Sequence, residues 1–370
     1  MKITITTTTI HIPYLIEDYV KDVIKYGRKD DVDFVITGDR KTPVEAKEYC
    51  HSLQEKYGIP VLFMDVEDQD IYLDKYSKLK AYLPWNCIQR RQVAILKAYE
   101  DGADIIILID DDNYIACEDY VGHHLGLGKE TSLSTVSSPT GWYNICEDLE
   151  DRQARKFYPR GYSWVNRIDE VKDSMWSKKE IRTVVNAGFW LGDPDIDAVT
   201  RLAAPIDVIS YKRDHNYALE KGTYSPFNSQ NTAIHRDIVP VYFLVPDIGR
   251  FDDIWSSYIV ERISWQMNDY VSYGQPLVKQ NRNEHDLWVD AYAEEMGTKM
   301  TTEFCQWLKD IELTKNTYLE CGIELFEKLK KHIDNLSNDE LPVQKRAYVN
   351  HFIDGHKVWF ETMNMFSAVK

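Results

Sequence analysis

The sequence predicts an α/β fold with a mixed, mostly parallel sheet and a helical C-terminal extension, on three observations. Strand and helix signals alternate from residue 3 to residue 112. The run Ile105-Ile106-Ile107-Leu108-Ile109 is wholly apolar, as expected of a parallel strand covered on both faces. Beyond Asp286 the apolar residues fall three and four apart, the spacing of amphipathic helices.

Taken in order, Ile3 to Thr9 alternates like a strand, and a helix is predicted from Pro13 to about Tyr26. A strand follows at Val32 to Thr37, then a helix from Pro43 to Tyr57 with Thr42 placed as its N-cap, then a strand at Pro60 to Met64. This is a βαβαβ pattern. A helix around Cys87 to Asp101 leads into the strand that ends at Ile109, so residues 1–112 form a nucleotide-binding-like half. The GxGxxG loop of dinucleotide sites is absent, which leaves a metal ion as the natural partner for phosphate charge. Residues 113–285 are rich in Gly, Trp, Tyr and Asn, with short strands predicted at Thr183 to Leu191 and Pro240 to Leu244, and read as the substrate-specific half. Residues 286–370 read as helical: Leu319, Ile323, Phe326, Leu329, Ile333 and Leu336 share one helix face, and a last helix follows Pro342. A cap packed on the main domain is the favoured reading of this extension. The alternative is a homo-oligomerisation or acceptor-docking element.

The composition narrows the class. A net charge of −16 over 370 residues disfavours nonspecific binding to nucleic acid or to an anionic membrane. Six dispersed cysteines contain no CxxC pair, giving neither a zinc spacing nor a disulfide scaffold. The start of the chain has strand character without a signal-peptide core, and no apolar segment is long enough to span a bilayer. These features point to a cytoplasmic enzyme or binding protein.

The candidate site begins at Asp110-Asp111-Asp112, directly after the apolar strand. Ligands of open α/β sheets sit beyond the carboxyl ends of strands. In an extended segment Asp110 and Asp112 face one side and Asp111 the other, unless the chain turns at once. Asp110 and Asp112 are therefore the candidate ligands for Mn²⁺ or Mg²⁺, held together with a diphosphate; a plain acidic loop is the alternative. Asp39, after the second strand, lies at the same edge with Arg40 and Thr8 and suits hydrogen bonds to a ribose or base, although an ordinary strand-to-helix turn is the favoured reading. Arg90 and Arg91 precede the acidic strand, where a guanidinium fork can reach a diphosphate or form a salt bridge.

Further on, Asp193 and Asp195 suit sugar hydroxyls or a turn, and Asp252 and Asp253 suit a general base, hydroxyl binding or the acidic first turn of a helix. Asn228 and Asn231, in Asn228-Ser229-Gln230-Asn231-Thr232, offer short polar side chains for reading hydroxyls. Trp142, Tyr162 and Trp190 can stack on a sugar or base, or serve as core. His285 is a candidate third metal ligand from a late loop.

Taken together, the βαβαβ start, an acid after the second strand and Asp-x-Asp after a later one resemble the GT-A class of nucleotide-sugar glycosyltransferases. Arg160-Gly161-Tyr162, then Gly188-Phe189-Trp190-Leu191 before Asp193-Pro194-Asp195-Ile196-Asp197-Ala198, then Gly249-Arg250-Phe251-Asp252-Asp253-Ile254-Trp255 occur in that order. This ordered set resembles the reversibly glycosylated polypeptide family, which includes the UDP-arabinopyranose mutases. The resemblance implies a nucleotide-sugar donor, UDP-linked, a metal on its diphosphate, and transfer to an unidentified acceptor. It equally implies a pyranose/furanose mutase with reversible glycosylation on Arg160, while a noncatalytic nucleotide-sugar-binding protein is the third reading. A guanidinium is a poor nucleophile and a good diphosphate clamp, so the clamp is the expected role of Arg160.

Overall fold

The computed structural model describes residues 1–168, 174–283 and 286–367. Among the described residues twelve strands make one sheet: β1 (Ile3–Thr8), β2 (Val32–Thr37), β3 (Val61–Met64), β4 (Ile105–Ile109), β5 (Asn113–Ile115), β6 (Glu130–Ser137), β7 (Leu149–Asp151), β8 (Met175–Gly192), β9 (Val208–Tyr211), β10 (Tyr217–Leu219), β11 (Asn231–His235) and β12 (Tyr270–Gln280). The predicted α/β class holds. The order β3-β2-β1-β4 is wholly parallel, as the βαβ pattern requires. Beyond β4 the sheet becomes mixed: β11 runs antiparallel to β4 on one side and to β8 on the other, and β12 runs parallel to β8.

These directions position the site. Because β11 reverses between β4 and β8, the carboxyl ends of β4, β8 and β12 and the amino end of β11 all reach one edge of the sheet. The acidic turn after β4, the Asp193–Asp195 segment after β8, Arg282 after β12 and Asn228–Gln230 before β11 therefore meet there. β4 is buried along its whole length.

The predicted helices occur at Ile16–Lys25, Glu45–Tyr57 and Arg91–Glu100, the last preceded by a 3₁₀ turn at Ile88–Arg90. Thr42 is not an N-cap: its hydroxyl accepts from Asp39 N at 2.7 Å and donates to the Thr9 carbonyl at 2.8 Å, so it ties two strand ends together. Two short helices, Val66–Leu73 and Ser77–Tyr82, fill the stretch before the acidic strand. The strand expected at Thr183 to Leu191 is the second half of the longer β8. Pro240 to Leu244 is not a strand. Residues Arg236–Val241 form a 3₁₀ turn containing Pro240, and the apolar run is buried because it packs under the C-terminal helices; Trp359 Nε1 donates to the Val239 carbonyl at 2.9 Å.

Helices Leu287–Asp310, Tyr318–Asn335 and Val343–Ser367 form the extension. They share one apolar core with the sheet domain. Trp255 stacks on Phe304 at 4.0 Å between ring centroids, and Phe243 stacks on Trp359 at 5.2 Å. No helix among the described residues is long and apolar enough to cross a membrane.

Candidate functional site

A cavity of about 220 Å³ opens at the shared strand edge, lined by Thr8, Arg91, Asp110, Asp111, Asp112, Arg160, Asp195, Gln230, Arg250, Asp252, Asp253, Gln280 and Arg282 among others. Six aspartates and four arginines face it, and that excess of carboxylate leaves room for a cation.

The acidic turn is held from both sides. Asp110 N donates to the Gln230 carbonyl at 3.0 Å, and Asn281 N donates to the Asp112 carbonyl at 3.2 Å. Arg91, buried, donates to Asp110 Oδ1 and to Ser229 Oγ, the latter at 2.8 Å. Asp111 accepts from the Thr9 hydroxyl at 2.6 Å at the end of β1 while still lining the cavity; the chain turns at once after β4, Asn113 N donating to the Asp110 carbonyl at 3.3 Å, so the alternation of an extended segment does not govern these acids. Thr9, through its hydroxyl to Asp111 and its carbonyl to the Thr42 hydroxyl, thereby links Asp111 to the Asp39 backbone. Burial, then the charges of Asp110 and Asp111, push the Asp112 carboxyl up to about 6.

Arg160 and the acid pair form the opposite wall. The Arg160 guanidinium makes a two-bond grip on Asp195, Nε to Oδ1 at 2.9 Å and Nη2 to Oδ2 at 2.8 Å. Nη1 donates to the Arg250 carbonyl, and both terminal nitrogens lie 3.4 Å from Asp253 Oδ1. All five N–H groups of an arginine are thus engaged. Although burial works against its charge, Asp195 and Asp253 raise the Arg160 pKa well above the ordinary arginine value. Asp195 is buried, but Arg160 and then Arg282 hold its carboxyl well below the usual range. Asp253 accepts from Ser229 N at 3.0 Å and Ser229 Oγ at 3.2 Å, and Asp252 accepts from Gln89 Nε2 at 2.8 Å. Both acids open the helix Asp252–Met267, whose N-terminal dipole favours negative charge. Burial and the neighbouring Asp253 nevertheless raise the Asp252 pKa strongly.

Two glycines make this wall feasible. Gly161 has φ +85°, and a Cβ there would strike Ile254 at 2.3 Å; Gly249 has φ +68°, and its Cβ would lie 1.9 Å from the Ala293 carbonyl oxygen. The extension also reaches the site. Glu294 accepts from Arg250 Nε at 3.1 Å and from Ala198 N at 2.8 Å.

Three polar groups in the cavity have uncommitted atoms. Gln230 Nε2 and Gln280 Oε1 are buried without a partner. Arg282 Nε lies 3.2 Å from Asp193 without hydrogen-bond alignment, and its Nη2 is 4.0 Å from Asp195. Sequence reasoning missed Gln89, Gln280, Arg282 and Glu294 as site residues; only the position of Gln280 and Arg282 at the carboxyl end of a strand could have signalled two of them.

Other expected residues lie elsewhere. Arg90 is buried, its guanidinium donating to Gln69 Oε1 at 2.7 and 3.0 Å and stacked 3.7 Å over Trp85; it does not line the cavity, because this side-chain pocket claims it. Arg40 lies over the same ring at 5.4 Å, and Asp39 accepts from Arg40 N and Cys87 N, so these three form a separate cluster at the end of β2. Asp193 pairs with Arg201 at the rim. Asn228 acts through Asp195, donating to Oδ2 at 2.7 Å. Trp190 and Asn231 are interior: Trp190 is 4 % exposed, and Asn231 is spent on the Tyr120 hydroxyl and the Phe189 carbonyl. His285 lies outside the described residues.

Among the described residues no group of three or more His, Cys, Asp or Glu side chains is arranged to hold a metal ion. Asp110 and Asp112 still suit Mg²⁺ or Mn²⁺, which bind through one or two carboxylates plus phosphate oxygens and water.

Fold and site thus define an α/β protein with an acidic, arginine-lined cavity at the carboxyl edge of its sheet. The family model of the reversibly glycosylated polypeptides matches residues 157–359, and the chain belongs to that family. It is 28 % identical over 202 residues to UDP-arabinopyranose mutase 2 of Arabidopsis thaliana, covering 52 % of this chain and 53 % of that protein. It is 27 % identical over 239 residues to the probable UDP-arabinopyranose mutase 1 of Pisum sativum, covering 62 % of each. The chain therefore spans between about half and three-fifths of the length of these curated relatives. Among solved structures, glucosyl-3-phosphoglycerate synthase from Mycobacterium tuberculosis in complex with Mn²⁺ and UDP-glucose aligns with TM-score 0.40 and 10 % identity, over 82 % of this chain and 79 % of that one. A mannosyltransferase from Pyrobaculum calidifontis in complex with GDP-mannose and Mn²⁺ aligns with TM-score 0.40 and 9 % identity, over 99 % and 87 %.

Proposed function

We propose that this chain is an enzyme that binds a nucleotide sugar, UDP-linked, in the strand-edge cavity and breaks its sugar–diphosphate bond, passing the sugar to a hydroxyl acceptor. The observation that carries the reading is the convergence of the Asp110–Asp112 turn, the Asp252–Asp253 pair and four arginines on one cavity. Family membership supports the UDP-sugar, through the names of the mutase relatives.

In this reading Asp110 and Asp112 hold Mn²⁺ or Mg²⁺, which would offset charge on the diphosphate. Arg282, ion-paired with Asp193 and Asp195 but without an aligned hydrogen bond from its Nε, is the arginine suited to turn to phosphate oxygens, and Arg91 fixes Asp110. Arg160 orients Asp195 and Asp253 and is not the nucleophile, since its guanidinium is fully engaged and held charged. Asp252, its pKa raised by burial, is the group suited to take the acceptor proton. Gln230 and Gln280 offer partners for sugar hydroxyls. The six cysteines are free, which suits a cytoplasmic setting.

A second reading is favoured by the relatives' names: a UDP-sugar mutase, in which the released diphosphate returns to the same sugar after the ring changes size. Incubating the protein with a panel of UDP- and GDP-sugars, with Mn²⁺ or with EDTA, and resolving the nucleotides by chromatography distinguishes the two. Metal-dependent release of free nucleoside diphosphate supports transfer. An isomeric nucleotide sugar without such release supports the mutase, and no conversion of any donor overturns both.

A further inference from the structure

We propose that Gln89 is a positioning residue for Asp252: it holds one oxygen of that carboxylate, so that the other is kept for the acceptor proton. The role rests on the nucleotide-sugar reading, which makes Asp252 the base. The two acids that open the helix Asp252–Met267 are held unequally. Asp253 accepts from Ser229 N and Ser229 Oγ on one oxygen and faces Arg160 at 3.4 Å with the other. Asp252 receives one side-chain hydrogen bond, from Gln89 Nε2 to Oδ2 at 2.8 Å. Asp253 is thus compensated by a cation, whereas the side chain that orients Asp252 is a neutral amide. A guanidinium in its place would hold Asp252 ionised and leave it a weak base, as Arg160 does to Asp195.

The backbone behind Gln89 is fixed, so its amide is a stationary donor. Gln89 is buried in the 3₁₀ turn Ile88–Arg90. Before it, Cys87 N donates to Asp39 Oδ2 at 3.2 Å. After it, the Arg90 guanidinium donates twice to Gln69, and the Arg90 carbonyl accepts from the Thr37 hydroxyl at 3.4 Å. Arg91 then turns to Asp110 and to Ser229 Oγ, and Ser229 passes a hydrogen bond on to Asp253. One short segment therefore reaches both members of the acid pair, Asp252 directly and Asp253 through Ser229. Burial and then Asp253 raise the Asp252 pKa, and the Gln89 bond is the first group that pulls it back, ahead of Arg160. Tyr242 and Tyr348 also feel the Asp252 charge.

Two variants of the full chain test the role. Gln89→Met keeps the side-chain length and removes the donor; Gln89→Glu keeps the shape and sets a second carboxylate against Asp252. With aspartate carboxyls labelled with ¹³C, the Asp252 signal is identified by its loss in Asp252→Asn. Its titration midpoint is expected to rise by about one pH unit in Gln89→Met and further in Gln89→Glu. With the panel of UDP- and GDP-sugars and Mn²⁺, the rising limb of kcat against pH should move up by the same amount, while KM for the donor stays within about twofold. An unmoved midpoint in both variants would overturn the proposal. So would a shifted midpoint with an unmoved kcat limb, since Asp252 would then not take the acceptor proton. Native protein that converts no member of the panel fails at an earlier step: it sinks the nucleotide-sugar reading, and the role of Gln89 with it.

Discussion

Arg160 and Asp195, 35 residues apart in sequence, meet in a parallel pair of hydrogen bonds of 2.9 and 2.8 Å inside the protein. Asp253, on a third segment, completes the pairing. Removing the guanidinium would leave two buried carboxylates without their cation. Arg160→Ala is therefore expected to cost about 3–5 kcal/mol in urea unfolding, and Arg160→Ala with Asp195→Ala less than the sum of the single changes. Because all of its N–H groups are engaged, the peptide containing Arg160 should keep its unmodified mass after incubation with a UDP-sugar panel. A sugar adduct on that peptide would overturn the positioning role.

The Asp112 carboxyl provides a pH prediction. Its folded pKa of about 6 stands above the ordinary aspartate value of 3.8, so folding favours the protonated form. The sign follows: the charged group costs stability above about pH 6, and stability is regained as pH falls through 6 toward 4. Asp112→Asn should raise stability at pH 8 by about 2–3 kcal/mol, and the gain should shrink toward pH 5. Thermal unfolding in metal-free buffer at the two pH values checks it; equal gains would refute the cause given.

Much of this arrangement was legible in the sequence, and the reasons are particular. Ile105–Ile109 announced a strand buried on both faces, and the acids after it fell at the strand end where ligands of such sheets sit. Asp252 and Asp253 opened a helix as read. What failed was long-range. Arg90 and Arg91 are neighbours with the same local pattern, yet one turns to Trp85 and the other to Asp110, because helix periodicity sends adjacent residues to different surroundings. Trp190 and Asn231 looked like site residues by composition, but tertiary packing across β8 and β11 buries them. Gln89 and Glu294 reach the site only through helix packing, for which no local motif exists.

Glu294 makes the extension part of the site. Its carboxylate holds Arg250 and the Ala198 amide, and Arg250 offers its carbonyl to Arg160. Glu294→Gln keeps the shape but sets an NH2 group against one of its two donors, Arg250 Nε or Ala198 N, so it should lower stability by about 1–3 kcal/mol and reduce turnover more than donor affinity. Residues 1–285 alone should fail to unfold cooperatively, since Trp255 and Phe243 lose the ring stacks with Phe304 and Trp359. A sharp, native-like transition for that fragment would show that the sheet domain is independent.

Removal of the acidic turn tests the metal. Asp110 is fixed by Arg91 and Asp112 by its backbone bond to Asn281, whereas Asp111 is committed to Thr9. The three acids therefore should not behave alike. Asp110→Asn and Asp112→Asn are each expected to abolish the Mn²⁺-dependent part of UDP-sugar binding in calorimetry, a loss of at least about tenfold in affinity. Asp111→Asn should keep Mn²⁺ dependence, because its side chain can still accept from the Thr9 hydroxyl. Unchanged affinity in the first two variants, or equal losses in all three, would rule out Asp110 and Asp112 as the pair that holds the ion.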